Sequence, residues 1–239
     1  MAAAGSRDRN QNAIIDDTLA RNGVVVAAPE FRMPPHARYP ESIADVHLAI
    51  LWLKANAISF GSRPDLVGGI GTSSGGHQLL GCILRPSRSE YAQFETAAVT
   101  SLTAQVSYAV LGWPVADPLG RFRYAEERRL AQLVKAHEAY WPSERSMAEG
   151  NPQHVVEQRF FEALPHLLLL HGTQDDNVPL DMALRFANAY RSAGGEAQLH
   201  TFAGMPHAFV TRHPDAPESL EALATVASFI QKRAFTNVR

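Results

Sequence analysis

The chain has 239 residues, 46% of them hydrophobic and 19% charged, which suits one large soluble domain and is short for two. A formal net charge of -2 with scattered basic residues gives no electrostatic footprint for nucleic acid. A single cysteine, Cys82, excludes an intrachain disulfide and a cysteine-based metal site.

The first twelve residues, MAAAGSRDRNQN, have no apolar stretch of the kind a secretory leader needs. GVVVAAP at 23–29 is β-branched and bounded by Gly and Pro, which predicts a buried strand. ESIADVHLAILWLKANA at 41–57 predicts a helix with Ile43, Val46, Ile50, Leu51 and Leu53 on one face. DLVGGIG at 65–71 predicts a second strand, followed by a helix over SGGHQLLGCIL, where the neighbours of Cys82 predict a buried structural thiol. A reducing, cytoplasmic compartment fits that thiol.

Further strands are predicted at 103–111, 166–172 and 197–202, and helices at 179–195 and 219–234. The alternation lapses between Gly112 and Pro165, a stretch too long for a plain connection, which predicts a mostly helical, cap-like insertion at about 112–165 in a single domain spanning 1–239. Within it RFRYAEERR, 121–129, reads as a solvated helical face. The longest apolar run, LPHLLLLHG, is too short to span a bilayer, so no membrane is implied. Strands alternating with helices predict an α/β fold, a mostly parallel sheet with helices on both faces.

In such a sheet ligands bind beyond the carboxyl ends of the strands. Gly71-Thr72-Ser73-Ser74-Gly75 lies between a strand and a helix and has the G-x-S-x-G frame of a nucleophile elbow. The positions two before and two after the nucleophile must lack bulk, which selects Ser73 over Ser74 because Ser74 would have Thr72 at the first of them. A serine hydroxyl needs a base, and the base needs an orienting acid. Acids follow the strand at 166–172 in HGTQDDNVP, with Asp175 preferred and Asp176 taken as a solvated turn residue. His207 follows the strand at 197–202 in FAGMPHAF. The chain order Ser, Asp, His is the one this elbow requires. His171 is expected to make structural hydrogen bonds, and His77 to pack. The Ser74 amide is the expected oxyanion donor. Trp113, Phe122, Tyr124, Tyr140 and Trp141 are candidates for apolar pocket wall or core. No metal or cofactor is implied.

These segments resemble the α/β-hydrolase fold, and more narrowly the bacterial esterases of the hormone-sensitive-lipase and acetyl-esterase type. VVVAAPEFRMPP is similar to the family's strand followed by Y-R-L-A-P-E, GTSSGGH to G-x-S-A-G-G-H, HGTQDDNVP to H-G-T-x-D-x-x-V-P, and GMPHAF to G-x-x-H-x-F. The resemblance runs from about Gly5 to the end apart from the insertion, and it puts the catalytic acid on Asp175. It implies a serine hydrolase cleaving a small-molecule carboxylic ester. The family's H-G-G-G-W-like motif, whose amides form half the oxyanion hole, should lie at or just before Met1 and is absent from MAAAG. An amino-terminally truncated form of a longer hydrolase, lacking the strands before that motif, is the expectation. Amide or peptide hydrolysis on the same triad, or a catalytically impaired binding protein, are the alternatives.

Overall fold

The computed structural model describes residues 12–94 and 99–236, so Gly5 and the stretch of the expected oxyanion motif lie outside the described residues. In chain order the elements are α1 (Ala13–Arg21), α2 (Glu41–Asn56), β1 (Gly69–Thr72), α3 (Ser74–Leu84) and β2 (Tyr108–Gly112). Then come α4 (Pro118–Glu127), α5 (Ala131–Tyr140), α6 (Glu144–Glu149), α7 (Pro152–Glu157) and β3 (His166–Gly172). The chain closes with α8 (Leu180–Ser192), β4 (Ala197–Phe202), α9 (Phe209–Arg212) and α10 (Pro217–Thr236).

The four strands form one parallel sheet in the order β1-β2-β3-β4. Gly69 aligns with Ala109, Leu111 with Leu169, and Leu169 with Leu199. Alternation sends Ala109, Leu111, Leu167 and Leu169 into a core with α2, α3, α8 and the helices between β2 and β3. Tyr108, Val110, Leu168 and Leu170 enter a second core with α1, α9 and α10. Burial on both faces is why LLLL is continuous rather than alternating. A parallel ladder also brings the carboxyl ends of all four strands to one edge, and Ser73, Trp113, Thr173 and Ala203 begin the loops there.

The strands at His166–Gly172 and Ala197–Phe202 and the helix starting at Ser74 fall where the sequence predicts them. Others differ. β1 is shorter than 65–71, because Pro64–Leu66 winds into a 3-10 turn. The strand predicted at 23–29 is not a strand: it has no regular structure, and Val25 is 48% exposed. A strand exists only through its ladder, and among the described residues none pairs with this run. A groove of about 240 Å³ separates it from Gly68 and Ile70, and β1 has β2 as its one ladder partner among the described residues. The stretch Glu41–Phe60, rather than LPHLLLLHG, is long and apolar enough by composition to cross a membrane. Its Ile43, Ala44, Ile50 and Leu51 are fully buried, as in a core helix of a globular fold.

Leu168→Ala, which empties a fully buried site on a central strand, should cost about 2–5 kcal/mol in urea unfolding, whereas Val25→Ala should stay within about 0.5 kcal/mol. Comparable losses at the two sites would mean that 23–29 is integrated as a buried strand after all.

Candidate active site

The turn from β1 into α3 is tight enough to put Ser73 at φ 50°, ψ -121°. A residue with a side chain holds such a conformation at a cost of roughly 1–3 kcal/mol, so its surroundings must impose it. They do: the Ser73 N–H donates to Gly112 O at 2.9 Å, and Ser73 O accepts from Val115 N at 3.1 Å. Gly71 must be bare, because a Cβ there would lie 2.6 Å from Gly75 O. Ser74 is the first residue of α3, so its amide has no intrahelical acceptor.

Asp175 lies in the loop after β3. Its Oδ1 accepts from the amides of Asn177 (2.9 Å) and Val178 (2.8 Å), which turns Oδ2 toward His207 Nδ1 at 2.7 Å. A carboxylate only accepts, so Nδ1 carries the proton and Nε2 is left with a lone pair. That Nε2 is 3.0 Å from Ser73 Oγ. Two packing details bring the loops together. A Cβ on Gly172 would sit 2.1 Å from Met205 O, so the bare glycine lets the His207 loop close over the end of β3. The Trp113 ring meets His207 edge-on at 6.2 Å. His171 is fully buried and donates from Nε2 to Val178 O at 2.8 Å, bracing the acid loop. Asp176 is exposed.

Residues 3–211 match the family described as alpha/beta hydrolase fold. The chain belongs to that family. It is 28% identical over 193 residues to Esterase LipC of Mycobacterium tuberculosis, covering 79% of this chain and 45% of that protein. It is 25% identical over 208 residues to the probable isoprenylcysteine alpha-carbonyl methylesterase ICME of Oryza sativa subsp. japonica, covering 82% and 47%. The chain therefore spans about half the length of the curated relatives it matches. Among solved structures, propionate-bound Est2 of Thermogutta terrifontis superposes with a TM-score of 0.75 at 23% identity, covering 96% of this chain and 80% of that one. A hyperthermophilic esterase from Pyrobaculum calidifontis gives a TM-score of 0.77 at 18% identity, covering 98% and 75%. These relatives are esterases, the type that the motifs resemble.

In this hydrolase fold a cavity of about 630 Å³ opens at Ser73, Ser74 and His207. Of the aromatic candidates, Trp113, Tyr140 and Trp141 line it. Phe122 is buried against His137 instead, and the Tyr124 hydroxyl bonds Asp176 O. The reading of 121–129 as a solvated face fails at its first residue. Arg121 is 9% exposed and lines the cavity, because α4 turns that position inward along with buried Phe122 and Ala125. Sequence reasoning also missed His137 and Asn177 on the wall; a charged residue next to Phe122 at the start of a helix was the available signal for Arg121. Among the described residues, no group of three or more His, Cys, Asp or Glu side chains could hold a metal ion.

The buried titratable groups fall into two sets. Burial by itself would raise Asp175, but the His207 hydrogen bond and charge and the Val178 amide outweigh it, so the carboxyl sits below its ordinary value. Burial pushes His77 down to about 4, although its Nε2–H donates to Gly150 O at 2.9 Å. Burial and then the Arg121 charge push His137 down to about 3. Burial drives the Cys82 thiol up, so it stays protonated.

A histidine whose pKa is lowered by folding leaves the unfolded chain binding the extra proton. Unfolding free energy should therefore fall as pH drops from 6.5 toward 4, by up to about 1.4 kcal/mol per pH unit for each of His77 and His137. Urea unfolding across that window should show the slope, and His77→Gln should remove close to one proton's share of it. An unchanged slope in that variant would mean that His77 charges in the fold.

Proposed function

We propose that this chain is a serine hydrolase that cleaves carboxylic esters of small molecules through an acyl-enzyme. The observation that carries the reading is the hydrogen-bonded line from Ser73 Oγ through His207 to Asp175, at 3.0 and 2.7 Å, opening on a cavity. In this reading Ser73 Oγ attacks the ester carbonyl carbon while His207 Nε2 takes its proton. Asp175 keeps the proton on Nδ1 and stabilises the imidazolium. The oxyanion receives the Ser74 amide and the partial positive charge at the start of α3. The tetrahedral intermediate collapses as His207 returns the proton to the leaving alcohol. Water, activated by the same histidine, then releases the acid and frees Ser73.

The stretch between β2 and β3 acts in this reading as a cap within one domain. Its Tyr140 and Trp141, with Trp113 at the end of β2, supply the apolar wall that receives the substrate. The volume of about 630 Å³ suits a small ester. No cofactor enters the mechanism, and cytoplasmic action on a soluble substrate completes it.

Short-chain p-nitrophenyl ester hydrolysis tests this. Ser73→Ala should abolish turnover and fluorophosphonate labelling. Ser74→Ala, which keeps the backbone amide, should retain both. His207→Ala should lower kcat by about 10⁴-fold or more. Absence of turnover and of label at Ser73 in the unmodified chain would favour a binding protein, and turnover confined to anilides would favour an amidase.

A further inference from the structure

The cavity next to Ser73 carries more positive charge than ester hydrolysis requires. Among the described residues its lining includes two arginines, Arg121 and Arg212, and no aspartate or glutamate. Arg121 is the unusual one. Its side chain enters from α4 and is held by three hydrogen bonds: Nε to Asn177 O at 3.0 Å, one terminal nitrogen to Asn177 Oδ1, and the other to His137 Nε2 at 2.9 Å. All three acceptors are neutral. His137 accepts from a guanidinium, so its proton is on Nδ1 and it carries no compensating charge.

Among the described residues Arg121 has no ion pair, and nearby carboxylates are committed elsewhere. Asp175 is engaged by His207 and two amides. Asp117 accepts from Gly120 N and Asn151 Nδ2 and pairs with Arg185. A guanidinium has five N–H donors, and three are used. Among the described residues one hydrogen on each terminal nitrogen has no protein partner and is left to donate to a ligand carboxylate. Burial lowers the Arg121 pKa to about 10, and the Asp175 charge offsets only part of that without touching the guanidinium, so a ligand that sets an anion directly on the guanidinium relieves the remaining cost.

We infer that Arg121 makes the cavity selective for esters that carry a carboxylate on the part of the substrate lying against α4. This rests on the proposed hydrolase reading and narrows its substrate class. Arg212, exposed at the end of α9 with no side-chain ion pair among the described residues, adds attraction to the same cavity.

Monomethyl glutarate and methyl pentanoate form a matched anionic and neutral pair. The chain should hydrolyse the anionic ester with the higher kcat/KM, and the preference should shrink with added salt. In Arg121→Gln the anionic-to-neutral ratio should fall by about 30-fold or more, and Arg121→Lys should recover part of it. Equal losses on both esters would overturn the inference and reduce Arg121 to a brace for the acid loop through Asn177.

Two measurements guard against a variant that does not fold or a chain that does not turn over. Free glutarate should inhibit neutral-ester hydrolysis by the unmodified chain at least tenfold more strongly than pentanamide does. In Ser73→Ala, calorimetry should detect monomethyl glutarate binding more tightly than methyl pentanoate. If no ester is hydrolysed yet this binding difference appears, the hydrolase reading fails and the anion site stands. If glutarate shows no advantage over pentanamide and the calorimetric difference is absent, the anion site is refuted whatever the turnover.

Discussion

Ser73 occupies a backbone conformation that the chain around it has to impose, and the rest of the site is arranged by the same contacts that impose it. The Ser73 amide reaches the last carbonyl of β2, and the Ser73 carbonyl receives the amide of Val115 from the loop after β2. The elbow is thereby stitched to the neighbouring strand. β2 is in turn in register with β3, Gly112 opposite Leu170, and the Trp113 amide continues the ladder to Leu170 O at 2.7 Å. Each step is a backbone hydrogen bond within the sheet or just past its end, so the position of the hydroxyl is set by the most buried part of the fold.

Asp175 and His207 inherit the same frame. β3 ends at Gly172 opposite Phe202, the last residue of β4, and the Thr173 amide reaches Phe202 O at 2.9 Å. The two loops carrying Asp175 and His207 therefore leave the sheet side by side. Gly172 lets them approach, and the two amides that hold Asp175 Oδ1 aim its other oxygen at the imidazole. The Ser-His-Asp line depends less on any one side chain than on the ends of β1, β3 and β4 being level across the sheet, with β2 between the first two.

How much of this was legible in the sequence depends on what each signal reports. β3 and β4 stood out because burial on both faces leaves a continuous apolar run, and sheet burial is local information. Ser73 stood out because the crowding of Gly71 against the Gly75 carbonyl is also local. The run at 23–29 has the same β-branched composition as a buried strand, but composition cannot say whether a partner lies within hydrogen-bonding reach. Arg121 was hidden for the opposite reason. Charge is normally a sign of solvent, and only the turn of α4 against the acid loop shows that this guanidinium faces inward. Phe122 and Tyr124 were reasonable wall candidates by residue type. The helix rotation that brings Arg121 to the cavity sends Phe122 to the core and the Tyr124 hydroxyl to Asp176 O.

The same polar contacts bear on how a substrate could enter. The stretch between β2 and β3 is tied down at several places. Arg121 and Tyr124 bond the acid loop, Gly150 O receives His77 from the elbow helix, and Arg185 on α8 reaches Asp117 and Glu157. Arg38 donates to Ala139, Glu138 and Trp141 carbonyls at the end of α5. Lifting this stretch as one lid would break both Arg121 bonds to Asn177 and the His77 bond to Gly150 O. Hydrogen bonds to charged groups contribute about 1.5–3 kcal/mol each, and stranding a buried donor costs a comparable amount. Several broken together would approach the stability of a typical domain. The cavity already exists with all of these bonds in place, so the polar ties favour a fixed wall over a hinged cap.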